Sequence, residues 1–436
     1  MSSSAHRHLD NEARALLTRL ERVKPFVLYE TMVPAANVSP AAQTAMEYSL
    51  VVGRRKVRRA VYRFRKWLNG KAGERANPAQ AQRRFSLLRL RFNAVLMRFD
   101  IFADALSQRS EHTTGIWLSG LDVAAADALK LPSYYTNPPV VCYLDRGFGA
   151  AIRRAMTRLP GGAKNPVAVI RIPRERMVGS GIASSLIHEV GHQAAALLDL
   201  VESLRPVLRR RHKAEPDSEA WKMWERWISE ILADFWSVSR LGAASTMGLM
   251  GVLSLPRAFV FRINPADPHP FPWIRVKISC AIGQVLYPHP QWLRLRNLWE
   301  AYYPRAGLDD KKREIIEQLE YTMPEFIRLL LNHRPRSLRG ASLKKVMAEQ
   351  HRRPAELMQI YRDWQRLPKL AKQTAPTTAF AVIGQARAFG VMSPEEEGRM
   401  VSMLLRHWAL ASTLRNNDQC RSRCAVSNQP HSLLFN

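Results

Sequence analysis

The chain has 436 residues, of which 46% are hydrophobic, and it carries a formal net charge of +29. This size and hydrophobic content suit a folded protein of two or three domains and argue against wholesale disorder. Four scattered cysteines exclude a disulfide-rich scaffold, so we expect reduced thiols and a cytoplasmic location. The excess positive charge indicates an anionic partner but says nothing about the fold.

The first predicted region, residues 1–131, is helical and basic. Between Arg54 and Arg98, both included, lie fifteen Lys and Arg residues and one acidic residue, Glu74, with aromatic residues interleaved. A Gly- and Pro-containing stretch at residues 70–80 divides this basic segment into two predicted helices. The segment suits nucleic acid, whose bases can stack on aromatic rings, but also an acidic partner, an anionic membrane surface or a solvated face. No transmembrane segment is expected.

The second predicted region, residues 132–300, contains the clearest strand, VAVIRIP at residues 167–173. This strand precedes the motif described next, so it is a candidate for the rim on which an extended substrate adds, or else an ordinary core strand. A basic, Pro-containing stretch at residues 205–216 is expected to form a loop near the cleft, where its charges would favour acidic substrates. A long apolar helix is predicted after it, ending near Gly242.

The motif SSLIHEVGHQAAALL begins at Ser184. On a helix, His188 and His192 lie on one face, one turn apart, so both imidazoles can reach one zinc ion. Glu189 is offset by one residue, where it can take a proton from a water that the metal activates. The alternative is a surface helix with two spare histidines. Apolar residues almost all round predict a buried helix instead, in which these side chains need a partner.

A catalytic zinc site needs a third protein ligand. The metzincin pattern is excluded, because Leu198 and Ala195 stand where it requires His and Gly. A glutamate on a second helix is the alternative, and SEILADFWS offers Glu230, with Asp234 one turn later on the same face. Asp234 could accept the ring N–H of a ligating histidine and so select its tautomer. Taken alone, this acidic pair also fits an ordinary solvated helix face.

A third motif, HPFPWIRV, begins at His269 and includes Arg275. In order and spacing, HEVGH, EILAD and HPFPWIRV resemble the gluzincin zinc metallopeptidases of the HtpX and CAAX prenyl endopeptidase type, with the pattern HExxH, ExxAD and HPxxxxR. The resemblance covers residues 182–276. It implies a zincin-like catalytic core inside a predominantly α fold with a small β-sheet (α+β), flanked by helical regions.

The resemblance implies one Zn²⁺ per chain, held by His188, His192 and Glu230. It further implies that Glu189 is the general base and that Asp234 supports a ligating histidine. His269 and Arg275 would border the site. His269 would stabilise the oxyanion of the tetrahedral intermediate, or else form a structural His-Pro corner.

The predicted function is therefore zinc-dependent endopeptidase activity on a protein or peptide substrate. Membrane-embedded members of the family have transmembrane helices that this chain lacks, so prenylated and membrane-protein substrates are not carried over. The alternative from another class is a basic, nucleic-acid-associated or polyanion-binding protein with a structural or inactive zinc site. A protein bound to an anionic membrane surface is a third hypothesis.

The third predicted region, residues 301–436, is helical. Its last helix is expected to begin after Ser393 as cap, with Pro394 at the first helical position and acidic residues in the first turn. Cys420 and Cys424, followed by His431, have the spacing of metal ligands. A fourth ligand is missing, which argues against a second metal site, but the sequence does not decide whether Cys420 and Cys424 bind metal.

Overall fold

A computed structural model of the chain describes residues 2–147, 149–174, 179–215 and 219–427. Within these ranges the chain forms eighteen α-helices and one three-stranded sheet, which confirms a predominantly α fold with a small β-sheet. The side chains of Cys420 and Cys424, and all of His431, lie outside the described residues, as does any metal site there. The division into regions 1–131, 132–300 and 301–436 stays a prediction.

The elements follow one another along the chain with short connections. The N-terminal helices are α1 (Ser2–Arg22), α2 (Pro40–Leu68), α3 (Lys71–Glu74), α4 (Pro78–Ser107) and α5 (His112–Ala128). The strands follow as β1 (Val140–Asp145), β2 (Ala151–Arg153) and β3 (Ala168–Pro173). The central helices are α6 (Ser180–Leu197), α7 (Leu200–Ala214), α8 (Glu219–Leu241), α9 (Ala243–Leu253), α10 (Arg257–Val260), α11 (Pro272–Leu286) and α12 (Gln291–Tyr302). The C-terminal helices are α13 (Asp310–Asn332), α14 (Leu343–Met347), α15 (Pro354–Arg366), α16 (Lys369–Gln373), α17 (Pro376–Ala388) and α18 (Pro394–Ser427).

Helix ends follow local capping chemistry. The basic segment is divided as predicted, since α2 ends at Leu68 and α4 begins at Pro78. Asn77 caps α4 by accepting from the Gln80 backbone N–H, and the Gln80 side chain accepts from the Asn77 backbone in return. Ser393 and Glu396 exchange the same pair of hydrogen bonds at the start of α18, which confirms the predicted cap.

The sheet separates two hydrophobic cores. The strand order is β1-β3-β2, with β1 parallel and β2 antiparallel to β3. Side chains alternate across the sheet, so Val141 and Val169 join a cluster with α1, α2 and α4. Cys142 and Ile170 point the other way, into the larger core built from α5, α6, α8 and the C-terminal helices. The strand predicted at residues 167–173 is confirmed, whereas β1 and β2 were missed in a Pro- and Gly-rich stretch.

The predicted role of β3 as the substrate rim is wrong, because β3 is the central strand and both of its edges are paired. The outer edge of β1 is also closed. Gln108 donates to the Leu144 carbonyl at 2.7 Å and accepts from the Leu144 N–H at 2.8 Å. Arg109 and Asp122 bind the Cys142 carbonyl and N–H in the same way, each at 2.6 Å. β2 is the other edge strand: no described strand pairs with its outer side, although Asn165 donates to its Arg153 carbonyl at 3.1 Å.

The predicted loop at residues 205–216 is wrong over most of its length, because α7 continues to Ala214 with Pro206 inside it. Leu200, Leu204 and Leu208 recur at helical spacing and are fully buried. Burying three leucines is worth about 1.5–3 kcal/mol each, which exceeds the roughly 3 kcal/mol that an internal proline costs. Part of the charge of α7 is paired, since Arg211 forms an ion pair with Glu325.

No described helix is both long and apolar enough to cross a membrane. The longest uncharged run of the chain forms α9, which packs against α6 and α17.

Candidate metal centre

Helices α6 and α8 bring the three predicted metal ligands together. His188 and His192 lie one turn apart on α6, with ring centroids 4.8 Å apart. Glu230, on α8, faces both of them: its Oε2 lies 3.3 Å from His188 Nε2 and its Oε1 lies 3.4 Å from His192 Nε2. One ligand atom from each residue can be chosen so that all lie within 4.8 Å of one another. Among the described residues, this is the group of His, Cys, Asp or Glu side chains arranged to hold a metal.

Asp234 fixes the orientation of His188. Its Oδ1 lies 2.8 Å from His188 Nδ1, so the Nδ1–H donates to the carboxylate and Nε2 is left to face Glu230. Arg275, from α11, donates to both oxygens of Asp234, at 2.7 and 3.0 Å. Burial alone would raise the pKa of the Asp234 carboxyl, but the charges of Arg275 and His188 lower it to about 2. Asp234 is therefore an anion held between two cationic or polar partners.

Glu189 lies beside the presumed ligands on α6 and is buried, with 7% of its surface exposed. Burial lowers the pKa of the Arg275 guanidinium, but Asp234, Glu230 and Glu189 together raise it above its ordinary value. Glu189 therefore lies within electrostatic reach of the same arginine. Its position one residue after His188 turns its carboxylate away from the line of the two imidazoles.

His269 lies in the loop before α11 and borders the site from the solvent side. Its Nε2 is 3.4 Å from Glu230 Oε2, and half of its side chain is exposed. Asp267 holds it: the Asp267 Oδ1 accepts from the His269 backbone N–H at 3.0 Å and lies 2.8 Å from Nδ1. This leaves Nε2 directed toward Glu230. All seven predicted site residues therefore lie in one cluster, formed by α6, α8, α11 and the loop before α11.

The three residues are of types that bind a metal ion, and one carboxylate oxygen has no well-aligned donor. Glu230 Oε2 is buried and lies 3.3 Å from His188 Nε2 and 3.4 Å from His269 Nε2, but among the described residues it accepts no hydrogen bond of good geometry. Bonds of about 2.0–2.1 Å in a tetrahedral site separate ligand atoms by about 3.3–3.4 Å. The His188 Nε2–Glu230 Oε2 and His192 Nε2–Glu230 Oε1 distances of 3.3 and 3.4 Å are of that size, but they end on different carboxylate oxygens, and one ligand atom from each residue gives a set that lies within 4.8 Å. His188, His192 and Glu230 could therefore hold a metal ion.

Gly191, inside the HEVGH motif, lets α6 and α8 approach closely enough for this geometry. A Cβ at Gly191 would lie 2.8 Å from the Ala233 Cα and 2.9 Å from the Trp236 Cβ. Such distances are shorter than real Cβ atoms tolerate, so any larger residue must push α8 away. Because Glu230 lies on α8, the spacing between the helices sets the distance from its carboxylate to the imidazoles.

We therefore expect Gly191→Ala to lower the free energy of unfolding by about 1–3 kcal/mol, as overpacking does in other cores. It is also expected to weaken zinc binding, because the third ligand moves outward. Urea unfolding and zinc titration of the purified variant measure the two effects. Gly181→Ala is the matched control on the same helix, since a Cβ there meets no atom of the described residues within 4 Å. Equal behaviour of the two variants would contradict the close-approach role of Gly191.

Two of these contributors were not found from the sequence. Asp267 stands two residues before His269 in DPHP, a spacing that lets its side chain bond both the backbone and the ring. Gly191 is one of the two unspecified positions of the HExxH pattern, so the motif gives it no role. Its importance depends on Ala233 and Trp236, some forty residues later in the chain.

Comparisons with known proteins do not extend this description: no protein-family model, no curated protein and no solved structure matches the chain. The functional argument therefore depends on the geometry of the site.

Proposed function

We propose that the chain is a zinc-dependent endopeptidase of the gluzincin type, built on a zincin-like core. The observation that carries the proposal is the cluster of two partly buried histidines, His188 and His192, with the buried Glu230 and a second buried carboxylate, Glu189, beside it. A purely structural zinc site is closed by four protein ligands and needs no adjacent base. The order of the three motifs along the chain supports the same assignment.

The chain's own residues supply binding, orientation and proton transfer. A zinc ion held by His188, His192 and Glu230 would polarise a peptide carbonyl and make water a better nucleophile at neutral pH. Glu189 takes the proton from the attacking water and returns it to the leaving amine. Asp234 keeps His188 in the tautomer whose Nε2 faces Glu230. Arg275 compensates the charge of Asp234 in the buried site.

His269 is suited to stabilise the oxyanion that forms as the carbonyl is attacked. Its Nε2 faces Glu230 from the exposed side, where a substrate can enter, and Asp267 fixes the ring. Donors held in position before the reaction stabilise developing charge most effectively. This assigns His269 to the substrate and not to the set of metal ligands.

The outer side of β2, with which no described strand pairs, is suited to an extended peptide substrate that binds by adding a strand to the sheet. β1 offers no such edge, because Gln108, Arg109 and Asp122 occupy its backbone groups. Just after β2, the Ala155 N–H donates to the Gln193 side chain at 2.7 Å. Gln193 follows His192 on α6, so this bond fastens the end of β2 to the metal-binding helix.

The test is metal-dependent hydrolysis by the full chain. We expect about one zinc per chain by elemental mass spectrometry and cleavage of internally quenched peptides from a mixed library. A chelator is expected to abolish cleavage, and added zinc to restore it. Cleavage that persists without metal would contradict the proposal, as would a chain that takes up no zinc after repletion. Zinc uptake without cleavage of any peptide or protein would favour the alternative of a structural or inactive site.

A further inference from the structure

A second concave site lies in the N-terminal helices, between α2 and α4. It is a cavity of about 710 Å³, a size typical of small-molecule sites. No acidic residue lines it. Its walls carry five cationic side chains, from Lys56, Arg59, Arg63, Arg91 and Arg98. Four of these side chains are exposed and Arg98 is buried, so the cavity differs from a solvated basic face in having a buried cation in its wall.

Arg98 is the distinctive member of this group. It is 3% exposed, and its Nε donates to the Pro160 carbonyl at 2.7 Å. Burial lowers the pKa of its guanidinium, and no neighbouring carboxylate acts in the opposite direction. In the described part of the chain, Arg98 forms no ion pair. A buried guanidinium without a counter-charge is costly, so an anion from outside the chain would complete the site.

Two glycines let the backbone approach this guanidinium closely. A Cβ at Gly161 would lie 2.7 Å from Arg98 Nη2, and one at Gly53 would lie 3.4 Å from Arg98 Nη1. Gly161 also has a φ of +78°, which disfavours any side chain. Both glycines line the cavity, and a side chain at Gly161 would clash with the Arg98 guanidinium.

We propose that this cavity binds a compact polyanion carrying more than one phosphate group, with a terminal phosphate against Arg98. A guanidinium fork matches phosphate oxygens in pairs, which suits one arginine at the floor and several cations around it. A terminal phosphate can enter the cavity, whereas a phosphodiester in a continuous nucleic-acid strand continues on both sides and suits an open groove. The ligand is a free polyphosphorylated small molecule or the phosphorylated headgroup of a lipid.

Calorimetric titration of the full chain with inorganic tripolyphosphate tests the proposal, at roughly 0.15 M salt to screen loose surface attraction. We expect saturable binding of one tripolyphosphate per chain. Arg98→Met is expected to weaken it at least tenfold without lowering the thermal stability of the unliganded chain, because the substitution removes an uncompensated buried charge. A merely structural arginine would give the opposite pattern, with lost stability and unchanged affinity.

Arg91→Gln and Arg89→Gln form a matched pair that decides the question even if the Arg98 variant fails to fold. Both positions are exposed on α4, but only Arg91 lines the cavity. We expect a fivefold or larger loss of affinity for Arg91→Gln and less than a twofold loss for Arg89→Gln. Equal losses, or no saturable binding by the wild type, would overturn the proposal.

Two further titrations distinguish a lipid headgroup from a free small molecule, and either of these from nucleic acid. Vesicles containing phosphatidylinositol bisphosphate that bind more tightly than the soluble headgroup would assign the site to a lipid. Equal affinities would assign it to a free ligand. A single-stranded oligonucleotide that binds equally well to the Arg91→Gln and Arg89→Gln chains, and more tightly than tripolyphosphate, would overturn the compact-polyanion assignment in favour of nucleic acid.

Discussion

Replacing Glu189 with Gln is expected to lower kcat for peptide hydrolysis by about 10²–10⁴-fold, because the amide cannot accept the proton of the attacking water. Zinc content is expected to stay at the wild-type level, since Glu189 is not among the ligands His188, His192 and Glu230. The substitution keeps the size of the side chain, so packing of the buried position is preserved. Steady-state hydrolysis of a quenched peptide, beside elemental analysis of the same sample, measures both quantities.

Glu202→Gln provides the control, because Glu202 lies on the exposed surface of α7 and pairs with Arg205. It removes the same charge and is expected to leave kcat unchanged. Wild-type hydrolysis by the Glu189 variant would rule out its role as general base. A zinc-loaded chain whose cellular function survives Glu189→Gln would instead favour the inactive-site alternative. The variant also shows whether observed cleavage comes from this chain or from a contaminating peptidase.

Replacing Glu230 with Ala is expected to remove most of the bound zinc. Loss of a partner that only supports a ligand typically weakens metal affinity 10–100-fold, and loss of a ligand itself is expected to exceed this. His188 and His192 remain, but two imidazoles leave the ion without its third protein donor. Competition with a chromophoric chelator gives the change in affinity, and elemental mass spectrometry gives the stoichiometry.

Glu225→Ala is the matched control for this experiment, because Glu225 lies on the same helix and pairs with Arg209 away from the site. It is expected to retain zinc at the wild-type level. Equal zinc content in both variants would remove Glu230 from the ligand set. The two histidines would then need a different third ligand, and the assignment to the gluzincin type would fail.

The Glu230 and Glu189 variants answer two separate questions about the same site. Glu230→Ala tests whether a metal is bound where α6 and α8 meet, and Glu189→Gln tests whether that metal does chemistry. The anion cavity is built from other residues, on α2, α4 and the loop at Gly161. Its titration therefore succeeds or fails independently of both.

Local elements were largely predictable from the sequence. The apolar helix around His188 and His192, the long helix carrying Glu230 and the cap at Ser393 are present where their patterns indicate. Each depends on residues within one or two helical turns, where spacing and capping chemistry act directly. The seven site residues could also be named, because three motifs in a fixed order mark them.

What only the tertiary structure decided is how distant segments meet. Asp234 and Arg275 lie 46 and 87 residues after His188, and packing of three helices brings them together. Gly191 matters because of α8, and Arg98 because Pro160 and Gly161 enclose it from another segment. The same holds for the sheet edges: side chains of Gln108 and Arg109 close the outer edge of β1, whereas no described strand pairs with the outer side of β2. Sequence patterns report the preferences of one segment, whereas these features depend on long-range packing, in which burial outweighs local propensity, as Pro206 inside α7 shows.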